Sequence, residues 1–149
     1  MLKKLIIAFV IIVSFSSLFA NMGDKAEAAY YHTNAIAVAK ANLGVPYKWG
    51  GISPSGFDCS GLVKYSYSKA GITLNRTAAQ MYYGNGYKPS NLQIGDLLFY
   101  GPNKASSPTH VAIYIGYGKM IMASSSKGVI ITTTNNSYWH PRYIGVKRV

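Results

Sequence analysis

The chain has 149 residues, of which 15 are Lys or Arg and only 4 are Asp or Glu, so its formal net charge at pH 7 is +11. Two of the acids lie in a leader that we expect to be removed, which leaves Asp58 and Asp96 as the sole candidates for the carboxylate pair of a glycosidase. The single cysteine and three histidines lack the spacings of zinc sites, so we predict neither a metal nor a cofactor.

The N-terminus has the order of a secretory signal peptide. Two lysines precede an apolar run over residues 5–13, a weaker apolar stretch continues to Ala20, and small residues surround Glu27. The run is shorter than the roughly 20 apolar residues that a membrane span needs. We therefore predict a signal peptide over residues 1–29, with an uncleaved N-terminal anchor as the alternative, and a protein that is secreted to the cell wall or the medium.

The mature segment, residues 30–149, has the length of one domain, and we expect it to be a monomer. It contains 12 Lys or Arg and 2 acids, which gives a net charge of about +10. Such a surface binds polyanions, and for an exported protein these are anionic wall polymers or phospholipid. Nucleic acid is not expected because no reader motif is present. The alternative is that the charge only keeps the domain soluble.

Three helices are predicted in the first part of this domain. Apolar spacing predicts a helix over Asn34–Leu43, with Gly44 as its C-cap. A second helix follows Asp58, whose side chain suits the N-cap position, and ends at Gly71. A short third helix is predicted over Thr77–Tyr83.

The pattern then changes to short segments rich in β-branched and aromatic residues and separated by Gly, Pro and Asn. Helices followed by strands indicate an α+β fold in which the helices pack on an antiparallel sheet of about five strands. The predicted strands are Asp96–Tyr100, His110–Ile115, Lys119–Ser124, Val129–Thr134 and Tyr143–Val149.

Cys59 is the one cysteine, and we expect it in the first turn of the second helix. The positive end of the helix dipole favours a thiolate there, which predicts an activated nucleophile. The alternative is a small buried apolar residue, the usual role of a free cysteine. A sheet carrying His110 and packed on this helix would bring the two side chains together as a Cys–His pair.

Five motifs in this order resemble those of the NlpC family of cell-wall cysteine endopeptidases, over about residues 36–149. The resemblance implies a papain-like α+β fold and cleavage of the peptide stems of peptidoglycan, usually between D-glutamate and a diamino acid. The motifs are residues 46–51 (PYKWGG), 57–62 (FDCSGL), Arg76-Thr77 with Gln80, 95–97 (GDL) and 110–116 (HVAIYIG).

The same resemblance implies roles for individual residues. Cys59 is the nucleophile, with its backbone N–H as an oxyanion donor, and His110 is the general base. Tyr47 lies beside the cysteine, and Asp58 and Ser60 contact the N-terminal part of the stem. Each of these three has a plainer interpretation: Asp58 caps the helix, Ser60 fills a small space and Tyr47 packs at the rim.

Arg76 matches an arginine of the family and has two interpretations of equal weight. It holds a substrate carboxylate, or it pairs with Asp96. Asp96 itself is expected to support a turn before a buried strand. His32 and His140 are predicted to be surface residues.

The sequence departs from the family at Met122. Relatives place a third polar residue there, most often histidine, which orients the catalytic imidazole. A backbone carbonyl, a water, Ser124 or His140 could replace it, and the sequence does not choose among them. The alternative function is a catalytically weak or inactive domain of the same fold that binds wall peptides, and a related thiol amidase or acyltransferase is a further one.

Overall fold

The computed structural model describes the backbone of residues 2–149 and the side chains of residues 21–149. Contacts divide the chain into one unit that ends at Tyr30 and a second that runs from Tyr31 to Val149. The side chains of most of the predicted signal peptide lie outside the described residues, and its removal stays a prediction. Over the part of the chain that the structure describes, no helix combines the length and the apolar character that a membrane crossing needs.

The second unit has the predicted α+β architecture. Its five long strands start and end within two residues of the predicted bounds. The first helix, predicted over Asn34–Leu43, instead runs from Leu2 to Ala41 and so belongs to both units, and a two-strand hairpin and a 3₁₀ turn were not predicted. In chain order the elements are α1 (Leu2–Ala41), β1 (Ile52–Ser53), β2 (Gly56–Phe57), α2 (Cys59–Lys69), α3 (Ala78–Gly84), β3 (Leu97–Tyr100), β4 (His110–Gly116), β5 (Lys119–Ser124), β6 (Gly128–Thr133), the 3₁₀ turn (His140–Arg142) and β7 (Tyr143–Lys147).

Side-chain caps fix where α2 and α3 begin. Asp58 has an extended backbone and accepts a hydrogen bond from the backbone N–H of Gly61 at 2.7 Å, so it is the N-cap that the sequence predicted. Thr77 and Gln80 form a reciprocal capping box at the start of α3. The carbonyl oxygen of Gly51 lies 1.9 Å from the place where a Cβ of Gly61 would be, so only glycine lets the first turn of α2 pack on the preceding loop.

The five long strands form an antiparallel sheet in the order β6-β5-β4-β3-β7. Alternate residues of β4 face opposite sides of the sheet. Val111 and Ile113 belong to the core that includes α2, whereas Ala112 belongs to a second apolar cluster with Met120 and Met122. His110, which has the same parity as Ala112, therefore begins its strand on the side of this second cluster.

Asp96 is fully buried and pairs with Arg148, which corrects the suggestion that it pairs with Arg76. The guanidinium of Arg148 reaches both carboxylate oxygens, at 2.7 and 2.8 Å. The carboxylate also accepts the backbone N–H of Gln93 at 2.7 Å, which closes the turn before β3 as expected. The pair thus ties that turn to the C-terminal end of the chain.

Replacing Arg148 by methionine should lower the free energy of unfolding by about 3 kcal/mol or more, because it leaves a buried carboxylate without its counter-charge. Denaturant melts of the purified protein measure this. The double variant Asp96→Leu/Arg148→Met, which removes both charges, should recover a large part of the loss. A loss of less than about 0.5 kcal/mol in the single variant would mean that water screens the pair as it does at a surface.

Candidate active site

A cleft of about 850 Å³ opens at the end of the sheet where α2 begins. Its wall includes Cys59 from the start of α2 and His110 from the start of β4. Tyr47, Met122 and Trp139 line the same cleft. The fold therefore brings the predicted nucleophile and the predicted base, which are 51 positions apart in the sequence, to one cavity.

The sulfur of Cys59 lies against the backbone on both sides of His110. Its thiol donates a hydrogen bond to the carbonyl of Thr109 at 3.8 Å, and the backbone of Val111 also hydrogen-bonds to the sulfur. The side chain is almost buried, with 8% of its surface exposed. The thiol is thus held at the beginning of β4, next to the residue predicted to deprotonate it.

Burial opposes the effect that the helix start was expected to have on Cys59. Burial raises the pKa of the thiol, and the carboxylate of Asp58 raises it further, while hydrogen bonds from Val111 and Ser60 lower it in part. Burial also lowers the pKa of His110 to about 4. Both shifts favour the neutral forms of the two side chains.

The His110 ring contacts three side chains, of which Tyr100 is tilted by 56° with ring centroids 6.1 Å apart. The Nε2 atom of His110 lies 3.1 Å from the sulfur of Met122, which the structure thus places where the sequence predicted it. The ring also stacks on the indole of Trp139, with centroids 4.3 Å apart and an interplanar angle of 23°. Nε2 thus faces Met122, and the indole covers one face of the ring.

The alternatives considered for orienting His110 make other contacts. The Ser124 hydroxyl is 3.3 Å from that of Ser126, and His140 is exposed at the start of the 3₁₀ turn, as predicted for a surface residue. Trp139 was not singled out from the sequence. Its signal was an aromatic pair, Tyr138-Trp139, just before the last strand, but nothing in that pattern connects it to His110.

The four residues expected to contact substrate lie together beside Cys59. Arg76 donates to both oxygens of Asp58, at 3.0 and 2.6 Å, and to the hydroxyl of Ser60 at 2.9 Å. Tyr47 completes the group: burial raises the pKa of its phenol, and the nearby Cys59 and Asp58 add to that shift. Asp58 consequently both caps α2 and fixes the guanidinium of Arg76.

His32 is not the surface residue that was predicted. It is 7% exposed, and its Nε2 donates to the carbonyl of Val149 at 2.8 Å. Its ring packs edge-on against Tyr67, with centroids 6.1 Å apart. His32 therefore supports the core. No group of three potential metal-binding side chains occurs among the residues that the structure describes.

Comparisons with known proteins agree on one family. The family model described as NlpC/P60 matches residues 44–148. Among curated relatives, a gamma-DL-glutamyl hydrolase of Bacillus subtilis is 42% identical over 99% of this chain and 37% of its own length. The probable peptidoglycan endopeptidase LytE of the same species is 44% identical over 76% of this chain and 33% of its own. The chain thus spans only about a third of the length of these relatives.

Solved structures give the same result. An NlpC/P60 family protein of Bacillus cereus superposes with a TM-score of 0.75 at 36% identity, covering 78% of this chain and 39% of that one. RipD of Mycobacterium tuberculosis, described as a non-catalytic NlpC/p60 domain protein adapted to peptidoglycan binding, superposes with a TM-score of 0.66 at 31% identity, covering 80% of this chain and 97% of its own. The fold is therefore found both in proteins named as hydrolases and in one described as non-catalytic.

Proposed function

The chain belongs to the NlpC/P60 family, and from that premise we propose that it is a secreted cysteine endopeptidase that hydrolyses the peptide stems of peptidoglycan. The observation that carries the proposal is the common cleft of Cys59 and His110, with the Asp58–Arg76 pair beside it. The scissile bond is the one between D-glutamate and the diamino acid. The names of two relatives, a gamma-DL-glutamyl hydrolase and a probable peptidoglycan endopeptidase, support this choice of substrate.

In the proposed reaction, His110 takes the thiol proton as the sulfur of Cys59 attacks the scissile carbonyl. The backbone N–H of Cys59 stabilises the oxyanion that forms. The imidazolium then protonates the departing amine, and the acyl-enzyme remains. Water, activated again by His110, releases the acyl group and restores the thiol.

Tyr47, Asp58, Ser60 and Arg76 bind the part of the stem that precedes the scissile bond. Arg76 is held by both oxygens of Asp58, so its guanidinium has a fixed orientation before substrate arrives. Part of the guanidinium side chain remains exposed, at 35%, and can meet a substrate carboxylate. Binding on this side leaves the diamino acid on the far side of Cys59.

The second candidate function is a weak or inactive domain that binds wall peptides. It is favoured by Met122, because the thioether that faces Nε2 of His110 is only a weak hydrogen-bond acceptor. The description of RipD gives a precedent for this fold. The two functions differ in one observable property, the release of peptide fragments.

Incubating the purified protein with peptidoglycan and identifying the soluble products by mass tests the proposal. Endopeptidase activity should release fragments whose new N-terminus is the diamino acid. Retention on the wall without any released fragment would support the binding domain. Fragments cleaved at the amide between sugar and peptide would instead indicate an amidase.

Replacing Met122 by histidine should raise kcat/KM on a stem peptide by about tenfold, which is roughly 1.4 kcal/mol of transition-state stabilisation. An imidazole at this position can accept the Nε2 proton of His110 more strongly than a thioether can. The matched control is Met122→Leu, which keeps the volume but adds no acceptor and should give no gain. A folded Met122→His protein without increased activity would show that another group already orients His110.

We expect electrostatic retention on anionic wall polymers, because both acids of residues 31–149 are already neutralised. Asp58 pairs with Arg76 and Asp96 with Arg148, and seven of the other ten cations of residues 31–149 are exposed. Retention on intact walls should fall steeply as the salt concentration rises toward 1 M. At that concentration, salt screens interactions between charges that are more than about 3 Å apart. Lys104→Glu/Lys119→Glu, which changes two exposed positions, should bind more weakly yet cleave a free peptide at the same rate. Salt-independent retention would indicate a specific pocket.

A further inference from the structure

We propose that Trp139 is the positioning residue of His110: its indole face fixes the plane of the imidazole and stabilises the positive charge that the ring acquires during turnover. The inference rests on the proposed function in that it assigns His110 the role of proton acceptor. It concerns a residue outside the family motifs recognised in the sequence.

The stacking geometry is the first observation. The two ring centroids are 4.3 Å apart and the planes deviate by 23°, so the indole covers one face of the imidazole. The electron-rich face of tryptophan attracts a cation more strongly than that of any other aromatic side chain. Proton transfer from Cys59 turns the neutral ring into such a cation, and the attraction therefore appears as the reaction proceeds.

Trp139 is itself held in place, which a positioning role requires. The side-chain oxygen of Asn136 accepts the backbone N–H of Trp139 at 2.8 Å and that of Tyr138 at 3.1 Å. Two further rings pack edge-on against the indole, Tyr138 with centroids 4.8 Å away and Tyr100 with centroids 5.1 Å away. The indole thus has little freedom to leave the imidazole.

Neither carboxylate of residues 31–149 supports a positive charge on His110. Met122 offers a thioether to Nε2, and sulfur of this kind is a weak acceptor. The two carboxylates of residues 31–149 are occupied, since Asp58 is paired with Arg76 and Asp96 with Arg148. The indole face therefore supplies the negative potential that the polar third residue of a catalytic triad would supply.

Fluorinated tryptophans test the proposal without changing the shape of the site. Fluorine withdraws electron density from the indole face, so cation binding weakens while stacking and volume are nearly kept. The chain has two tryptophans, and Trp49 is 89% exposed, so a Trp49→Phe background confines the label to Trp139. This background should be as active as the parent, and log(kcat/KM) should then fall progressively as fluorines are added.

Two substitutions complete the experiment. Trp139→Leu removes the aromatic face and should lower kcat/KM by about tenfold or more, whereas Trp139→Phe, with a weaker face, should recover part of that loss. The cost of Trp139→Leu should be smaller in a Met122→His protein, because the new imidazole then orients His110. A flat response to fluorination, together with an unchanged Leu variant, would overturn the proposal.

A second readout separates this inference from the proposed function. The rate at which iodoacetamide alkylates Cys59 also depends on transfer of the thiol proton to His110, but the reaction needs no wall substrate. Should the protein release no peptide fragments, the fluorinated series is measured by alkylation rate alone. A decline with fluorination supports the role of Trp139 even in a non-hydrolytic protein, and equal rates across the series contradict it.

Discussion

Replacing Cys59 by alanine is expected to abolish the release of wall peptides. Cys59 is the single cysteine of the chain, so no other thiol can act in its place. Loss of a nucleophile that works with a paired base costs on the order of a millionfold in turnover, which in a wall digest is a fall to background. The measurement is fragment release from purified peptidoglycan, quantified by mass spectrometry.

Ser66 provides a matched control for this substitution. It lies on the same helix, its side chain is fully buried, and its hydroxyl has no hydrogen-bond partner among the described residues. Ser66→Ala should therefore leave both activity and stability close to those of the parent. A Cys59→Ala protein that still releases fragments at the parent rate would exclude thiol catalysis, and a melt like the parent's would show that any loss is chemical.

Replacing His110 by alanine is expected to reduce turnover on the same scale and also to slow alkylation of Cys59 at pH 6. Burial raises the pKa of the thiol, so at this pH the sulfur depends on a neighbouring base to become a nucleophile. Rates of fragment release and of iodoacetamide modification measure the two effects. Equal alkylation in both proteins would mean that the helix end activates the thiol without His110.

The pH profile gives an independent check on His110. Burial lowers the pKa of this residue to about 4 from its ordinary value of 6.5, and only the neutral ring accepts a proton. Activity limited by this group should therefore persist as the pH falls below 6.5 and decline only as it approaches 4. His140→Ala, at an exposed histidine of the neighbouring turn, should leave the profile unchanged. An acid limb near 6.5 would show that His110 is more solvated than its surroundings indicate.

The elements that carry the site could be predicted because local residues dictate them. Lys119–Ser124 is a strand with the predicted bounds, since it is a short apolar run that follows Gly118 and ends at a run of serines. Asp58 caps α2 because an extended aspartate before an amphipathic run satisfies the first free N–H groups. The β1–β2 hairpin has two residues in each strand, too few for any periodic signal.

Ion pairing could not be predicted, because it depends on strand register. The sequence offered Asp96 as a partner for Arg76, but β3 pairs with β7 so that Leu97 faces Lys147, and this brings Arg148 to Asp96. Arg76 pairs instead with Asp58, which lies 18 positions earlier in the chain. From the sequence alone, Asp96 could pair with Arg76 or with another arginine. The pairing of β3 with β7 determines that its partner is Arg148.

The amino-acid sequence was enough to predict one thiol at a helix start, one histidine at a strand start and a methionine in the strand that follows. The surroundings of these side chains could be seen only in the folded chain. Burial raises the pKa of Cys59, and a tryptophan from a loop stacks on His110. The reason is physical: desolvation and ring stacking depend on what surrounds a group in space, and residues distant in the chain supply those surroundings.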